Sequence, residues 1–451
     1  MLCFKKRIGK IIFFLFGFLI IDSLCGFLWE PVNYYGHFTQ IDLKEMENNI
    51  DTVFLGSSWT YLGYNCEEFD EYLDTVSFNA GSVGQTTIDS YFYLKEILKK
   101  NPVKTVFYNI SHLKLQSLKN RYSSTVVNDR LSGANRLKHL LASSDSSTIL
   151  YFLKSFRYRE NISSTNLFAN VEEKLSPEYQ KGIWIDDSSG LHYKDRGYIE
   201  SSVEIPAENN SAYTLVDSTW RLLDIKEYNL EYLNKIVDLC QQENTRLIFI
   251  TPPFSLGFLQ ATTGYQDYVE YMRLYTKEKN LEFIDFNRLK DNPFVEEYLF
   301  TDTTHLNTKG ASILTEMLAS YMLDGESLEF YDSIEERPEL YSTCGGVSLQ
   351  VYRYNDDIFM EAKAANTTQM EVEYSFEKFD ASENSWISLS DYSKNNTLVL
   401  EHYPKLEEGD YYYVECRVIG SQKNREAYAT TFTENSSLNN NILVFANYDI
   451  C

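Results

Sequence analysis

The chain has 451 residues and a net charge of -24, from 41 Lys and Arg against 65 Asp and Glu. That length exceeds one ordinary hydrophobic core and predicts two domains plus an additional segment. The acidity repels a phosphate backbone, so no nucleic-acid partner is expected and the charge belongs to a solvated outer surface.

In chain order, Lys5, Lys6, Arg7 and Lys10 precede an apolar stretch from Ile11 to Trp29, interrupted only by Asp22 and Ser23. This is about the 20 residues that cross a bilayer as a helix, and the basic flank predicts a cytoplasmic N-terminus. Residues 1–29 therefore read as an N-terminal membrane anchor of single-pass type, with the rest of the chain extracellular. A cleavable signal peptide is the rival reading, because Ser23 and Cys25 stand at cleavage-site spacing before Gly26. Asp22 lies near the outer end, where a carboxylate reaches the interface more cheaply than at the centre.

Short β-branched or aromatic runs then alternate with amphipathic stretches. Thr52–Leu55, Val76–Asn79, Thr105–Ile110, Arg246–Ile250 and Leu281–Phe286 read as five strands. Ser90–Lys100, Ile225–Glu243, Tyr265–Lys279 and Thr308–Met322 carry apolar residues at helical spacing. Alternation of this kind implies an α/β domain, a parallel five-stranded sheet covered on both faces, with the site at the strand ends. The register breaks over about 113–220, where Ser and Asn clusters and two helices, near Asn135–Leu141 and Ile149–Phe156, predict an inserted cap. The α/β domain spans 30–328. From 329 to 451 the pattern becomes alternating segments at Val347–Tyr352, Met370–Phe376, Thr397–Glu401 and Tyr411–Ile419, the mark of an all-β sandwich similar to immunoglobulin-like modules. There Tyr412, Val414, Cys416 and Val418 form the inward set.

Cys3 and Cys25 belong to the anchor, and Cys66, Cys240, Cys344, Cys416 and Cys451 show neither CxxC pairs nor histidine spacing. No metal site and no cofactor is indicated. A Cys344–Cys416 bridge and buried free thiols both fit the pattern. The Asn-x-Ser/Thr triplets at Asn109, Asn161, Asn209, Asn366 and Asn395 matter only in a eukaryotic secretory route.

Four short segments carry chemistry. Gly56-Ser57-Ser58 ends the first strand, and Ser58 falls at the start of a helix, where backbone N–H groups stabilise negative charge. Gly81, in Asn79-Ala80-Gly81, follows the second strand and is a candidate oxyanion donor. The third strand ends in polar groups at Asn109, Ser111 and His112, one of which can complete the oxyanion hole. Asp302-Thr303-Thr304-His305 follows the fifth strand, so that His305 can serve Ser58 as base while Asp302 holds the other ring nitrogen. A serine, a histidine and an aspartate in these places point to acyl-ester chemistry.

These blocks resemble the SGNH, or GDSL-like, hydrolase family from about Asp51 to Met322. The resemblance implies a flavodoxin-like three-layer domain, Ser58 as nucleophile, Gly81 as donor, and Asp302 and His305 as the DxxH block. Serine replaces the usual aspartate in the first block. The third block departs from GxND, with His112 about where the Asn would stand, so the implied oxyanion hole is Ser58, Gly81 and, as its candidate third member, His112. The first block and the anchor are similar to membrane-anchored bacterial SGNH proteins of teichoic-acid D-alanylation and exopolysaccharide O-acetylation. That likeness implies a cell-surface polysaccharide or teichoic acid as acceptor and a membrane-bound O-acyltransferase as partner. The expected activity is that of a serine acyltransferase or esterase, transfer and hydrolysis sharing every residue. The alternative is a catalytically idle SGNH scaffold that binds glycan or assembles an envelope complex.

Overall fold

The computed structural model describes residues 2–32, 35–162, 166–182, 190–203, 218–325, 328–354, 357–365, 370–380, 382–401, 411–421 and 424–430. The Asn209 and Asn366 triplets and Cys451 lie outside them. The chain forms two compact units: Met1–Asn109, Ser117–Glu200 and Lys226–Leu247 make one, and Ile110–Gln116, Ser201–Ile225 and Ile248–Cys451 the other.

The first unit opens with helix α1, Leu2–Trp29, whose stretch Gly9–Trp29 has a mean hydropathy of 2.5 and is long and apolar enough to cross a membrane. Helix α2, Tyr35–Glu45, follows. Strands β1 (Thr52–Gly56), β2 (Ser77–Gly81) and β3 (Thr105–Asn109) come next. β1 pairs in parallel with both others, Phe54 lying opposite Asn79 and Phe107. Val53, Phe54 and Leu55 are fully buried, which is why this strand reads as a continuous apolar run and not as an alternation. Phe54 stacks on Tyr64 and Phe107, with ring centroids 4.6 and 5.2 Å away. The free edge of β2 is covered by the turn at Arg196-Gly197, whose Arg196 carbonyl accepts the Asn79 N–H at 2.8 Å, as an edge strand requires.

The full sheet runs β2, β1, β3, Arg246–Thr251, Glu282–Asp285. This is the flavodoxin-like order 2-1-3-4-5. The strands and flanking helices predicted from periodicity are present within a residue or two at most ends. The inserted stretch is richer than its sequence suggests. Helices Arg121–Arg130, Gly133–Ser143 and Leu167–Lys174 accompany a two-stranded pair, Leu191–Asp195 with Tyr198–Ser201. It is also firmly seated. Asp89, on the sheet-covering helix Thr87–Leu98, accepts from His139 Nε2 at 2.8 Å and from Ser123 Oγ at 2.7 Å, both side chains belonging to the insert.

In the second unit, Ile248–Thr251 pairs in parallel with Glu282–Asp285, and helices Tyr265–Glu278 and Thr308–Asp324 match their predicted spans closely. The C-terminal region consists of two antiparallel sheets. One is Gly346–Tyr354, Asp357–Ala365 and Thr397–Leu400; the other is Ser385–Ser388, Val372–Asp380, Tyr411–Val418 and Asn424–Thr430. They share a core in which Tyr412, Val414 and Cys416 are buried and Val418 packs at the margin, as their alternation predicts. Cys344 and Cys416 lie in this core as free thiols with sulfurs 3.7 Å apart.

Candidate active site

The turn after β1 is shaped by what does not fit. Gly56 has φ +153°, and a Cβ there would lie 2.3 Å from Thr60 Oγ1 and 2.9 Å from Asn109 Cβ. Only glycine lets β1 end in this turn, against the end of β3. Ser57 then occupies the N-cap position of the short helix α3, Ser58–Tyr61, without a side-chain capping bond. The two serines differ in access: Ser57 is 3% exposed, whereas Ser58 is only partly buried. A nucleophile must reach solvent and substrate, which favours Ser58.

Asn79 locks this turn in place. Its side-chain amide donates to the carbonyls of Thr60 at 2.8 Å and Tyr64 at 3.1 Å, and its Oδ1 accepts the Gly81 N–H at 3.1 Å. The predicted donor Gly81 therefore has its N–H engaged by Asn79. A Cβ at Gly81 would lie 2.7 Å from Tyr61 N. The sequence singled out the Asn-Ala-Gly block, but Asn79 itself was missed as a tie between α3 and β2; its only signal was a buried polar residue in an apolar strand.

The three polar groups at and beyond the end of β3 part company. Both polar atoms of the Asn109 side chain are buried without a hydrogen-bond partner among the described residues, an arrangement that costs free energy unless something else satisfies them. Ser111 Oγ is likewise buried and unpartnered. His112 is enclosed by the rings of Phe254, Phe258, Tyr265 and Tyr268, and its Nε2 stands 2.8 Å from Ser218 Oγ. Burial lowers its pKa to about 3, so it stays neutral.

In the second unit, Asp302 and His305 form a close pair, with His305 Nδ1 2.7 Å from Asp302 Oδ2. Asp302 Oδ1 also accepts the backbone N–H groups of Thr304 at 2.7 Å and His305 at 2.9 Å. Burial acts to raise the pKa of this carboxyl. The adjacent His305 ring, its hydrogen bond and the two backbone donors outweigh that and bring the pKa down to about 2. The loop closes on itself, Thr301 N–H donating to the His305 carbonyl at 2.9 Å, and Asn307 caps the following helix through Gly310 N–H. A carboxylate on Nδ1 fixes the tautomer and ring plane, so that Nε2 can act as the base.

A protein-family model matches residues 217–325, which take in Asp302 and His305 but not Ser58. No curated protein matches the sequence. Solved structures similar to the chain include a candidate acylhydrolase from Bacteroides fragilis, at 9% identity over 63% of this chain and 93% of that one, with a TM-score of 0.30. Another is a GDSL-like lipase from Bacteroides thetaiotaomicron, at 10% identity over 62% of this chain and 90% of that one, with a TM-score of 0.27.

Proposed function

We propose that the protein is a membrane-anchored, extracellular serine acyltransferase or esterase acting on acyl groups, O-acetyl among them, of cell-surface polysaccharide or teichoic acid. The observation that carries this reading is the Asp302–His305 pair, a histidine oriented through Nδ1 by a carboxylate held ionised. Ser58 is the nucleophile: its hydroxyl attacks the acyl carbonyl, His305 takes the proton and returns it to the leaving alkoxide, and Asp302 stabilises the imidazolium. A glycan hydroxyl or water, deprotonated by His305, then releases the acyl group from Ser58.

The oxyanion is met by the Ser58 N–H and by the side-chain amide of Asn109. We favour Asn109 over His112 in this role because both polar atoms of its side chain are buried beside Gly56 without a partner among the described residues, whereas His112 is enclosed by aromatic rings with Nε2 on Ser218 Oγ. Helix α1 serves as the anchor, a membrane-bound O-acyltransferase as the source of acyl groups, and the C-terminal sheets as an immunoglobulin-like module. Mass spectrometry of surface glycans from cells carrying wild type or Ser58→Ala tests the reading. A changed O-acyl content in the variant supports it; identical glycans with both proteins correctly displayed favour the idle scaffold.

A further inference from the structure

The inserted segment does more than border the sheet: it grips the outer end of α1. Asp22, almost fully buried within the apolar stretch, accepts the backbone N–H groups of Lys154 at 3.1 Å and Ser155 at 2.9 Å. Gly26 lies so close that a Cβ would stand 2.6 Å from Lys154 Cβ. The last carbonyls of α1, which a helix end leaves without intrahelical partners, are met by insert side chains. Lys174 Nζ donates to Phe27 at 2.6 Å, Asn170 Nδ2 to Leu28 at 2.6 Å and Asn161 Nδ2 to Trp29 at 3.2 Å.

The depth of this grip decides where the insert lies. Seven residues separate Asp22 from Trp29, about 10 Å of helix. A span needs about 20 apolar residues, and the stretch from Ile11 reaches that length only if it runs on to Trp29. Crossing the membrane therefore draws the Lys154 contact down to the boundary between headgroups and acyl chains. Elements packed around this contact expose large apolar side chains: Phe168 is 90% exposed, Leu175 65%, Leu150 50%, Ile162 47% and Ile149 44%. Phe168 and Leu175 are two turns apart on one face of Leu167–Lys174 and its cap, while Asn170 and Lys174 on another face hold α1.

We propose that residues 149–162 and 166–175 form a membrane-docking surface whose occupant is the outer leaflet of the phospholipid bilayer that α1 crosses. Phe168, Leu175, Leu150 and Ile162 enter the interface, and the hydrogen bonds to α1 set their depth. The domain is thereby held against the bilayer and not suspended from a tether, so the site takes acyl groups presented at the membrane surface. The inference rests on the anchor reading of α1 and not on the identity of the nucleophile.

A dansyl amino acid placed at the exposed position 168 of the full chain in phospholipid nanodiscs tests it. Blue-shifted emission, with most of it lost in nanodiscs of acyl-brominated lipid and little lost to aqueous iodide, is the expected result. Iodide quenching without bromolipid quenching, in chain that remains nanodisc-bound, overturns the docking while leaving the anchor intact. Failure of the chain to enter nanodiscs overturns both. Hydrolysis of an aryl ester by the same samples reads the serine chemistry separately.

Discussion

Two aspartate–histidine pairs in this chain have nearly the same contact distance and different surroundings. His139 Nε2 lies 2.8 Å from Asp89 Oδ1 with neither side chain exposed, and His305 Nδ1 lies 2.7 Å from Asp302 Oδ2 with side chains 22% and 36% exposed. Around Asp89 the polar atoms are spoken for: Thr86 and Ser123 donate to its second oxygen, and Asn128 meets His139 Nδ1. Burial would raise the Asp89 carboxyl, and the His139 bond and charge with the Thr86 and Ser123 bonds outweigh it, leaving its pKa below the ordinary 3.8. The contact alone thus marks neither structure nor catalysis. Access separates them: a sealed pair ties the insert to the helix Thr87–Leu98, and the half-open pair is the one proposed to pass a proton to a substrate.

The sharpest way to break the comparison is to disable each pair. Asp302→Asn is expected to lower kcat by about 10⁴, as loss of the tautomer-fixing carboxylate does in a triad, with little change in unfolding midpoint. Asp89→Ala should do the reverse. It leaves His139 and the hydroxyls of Thr86 and Ser123 without their shared acceptor, at a cost of about 1–3 kcal/mol for each buried group left unsatisfied, read by urea unfolding, while activity per folded molecule is retained. Should Asp89→Ala silence a well-folded enzyme and Asp302→Asn spare it, the two roles have been exchanged. Asn109→Ala comes next, with a fall of about 10²–10³ in kcat on an activated ester if its amide is an oxyanion donor. An unchanged kcat would return that role to another group.

The smallest expected effect is a pH dependence. His112 stays neutral in the folded protein down to about 3, whereas the unfolded chain takes up a proton near 6.5. The unfolded state therefore binds more protons in this window, and the stability attached to His112 is present above pH 6.5 and is lost progressively as pH falls toward 3. The slope is at most about 1.4 kcal/mol per pH unit. His112→Gln should flatten the stability profile between pH 6.5 and 4; an unaltered slope would show that other groups dominate it.

Much of this was legible in the sequence where a single physical rule dominates. The five strands stood out because parallel strands buried on both faces must be apolar throughout, and Tyr412, Val414 and Cys416 because a half-buried strand must alternate. The Asp302–His305 pair was legible because three residues of separation let a loop close a hydrogen bond on its own carboxylate. What stayed hidden depends on neighbours distant in sequence. The pair Leu191–Asp195 and Tyr198–Ser201 is short and polar and takes its role from covering β2. Asp357–Ala365 and Asn424–Thr430 are strands because of their partners, with lysine, glutamate and asparagine diluting the pattern. Asn79 looked like part of a motif, and its bonds to Thr60 and Tyr64 appear only when β2 is laid beside α3. Asn109, Ser111 and His112 were all candidates on paper, with the family resemblance pointing to His112; only the fold shows that both polar atoms of Asn109 are buried without a partner among the described residues, whereas His112 Nε2 meets Ser218 Oγ.

The central claim is that Ser58 is a nucleophile served by His305 and Asp302. It is tested most directly by treating the full chain in detergent with a fluorophosphonate and mapping the adduct by peptide mass spectrometry. One adduct is expected, on Ser58, absent in Ser58→Ala, strongly slowed in His305→Ala and retained in Ser57→Ala, since Ser57 is buried. An adduct on Ser57, or labelling of Ser58 that is indifferent to loss of His305, would contradict it.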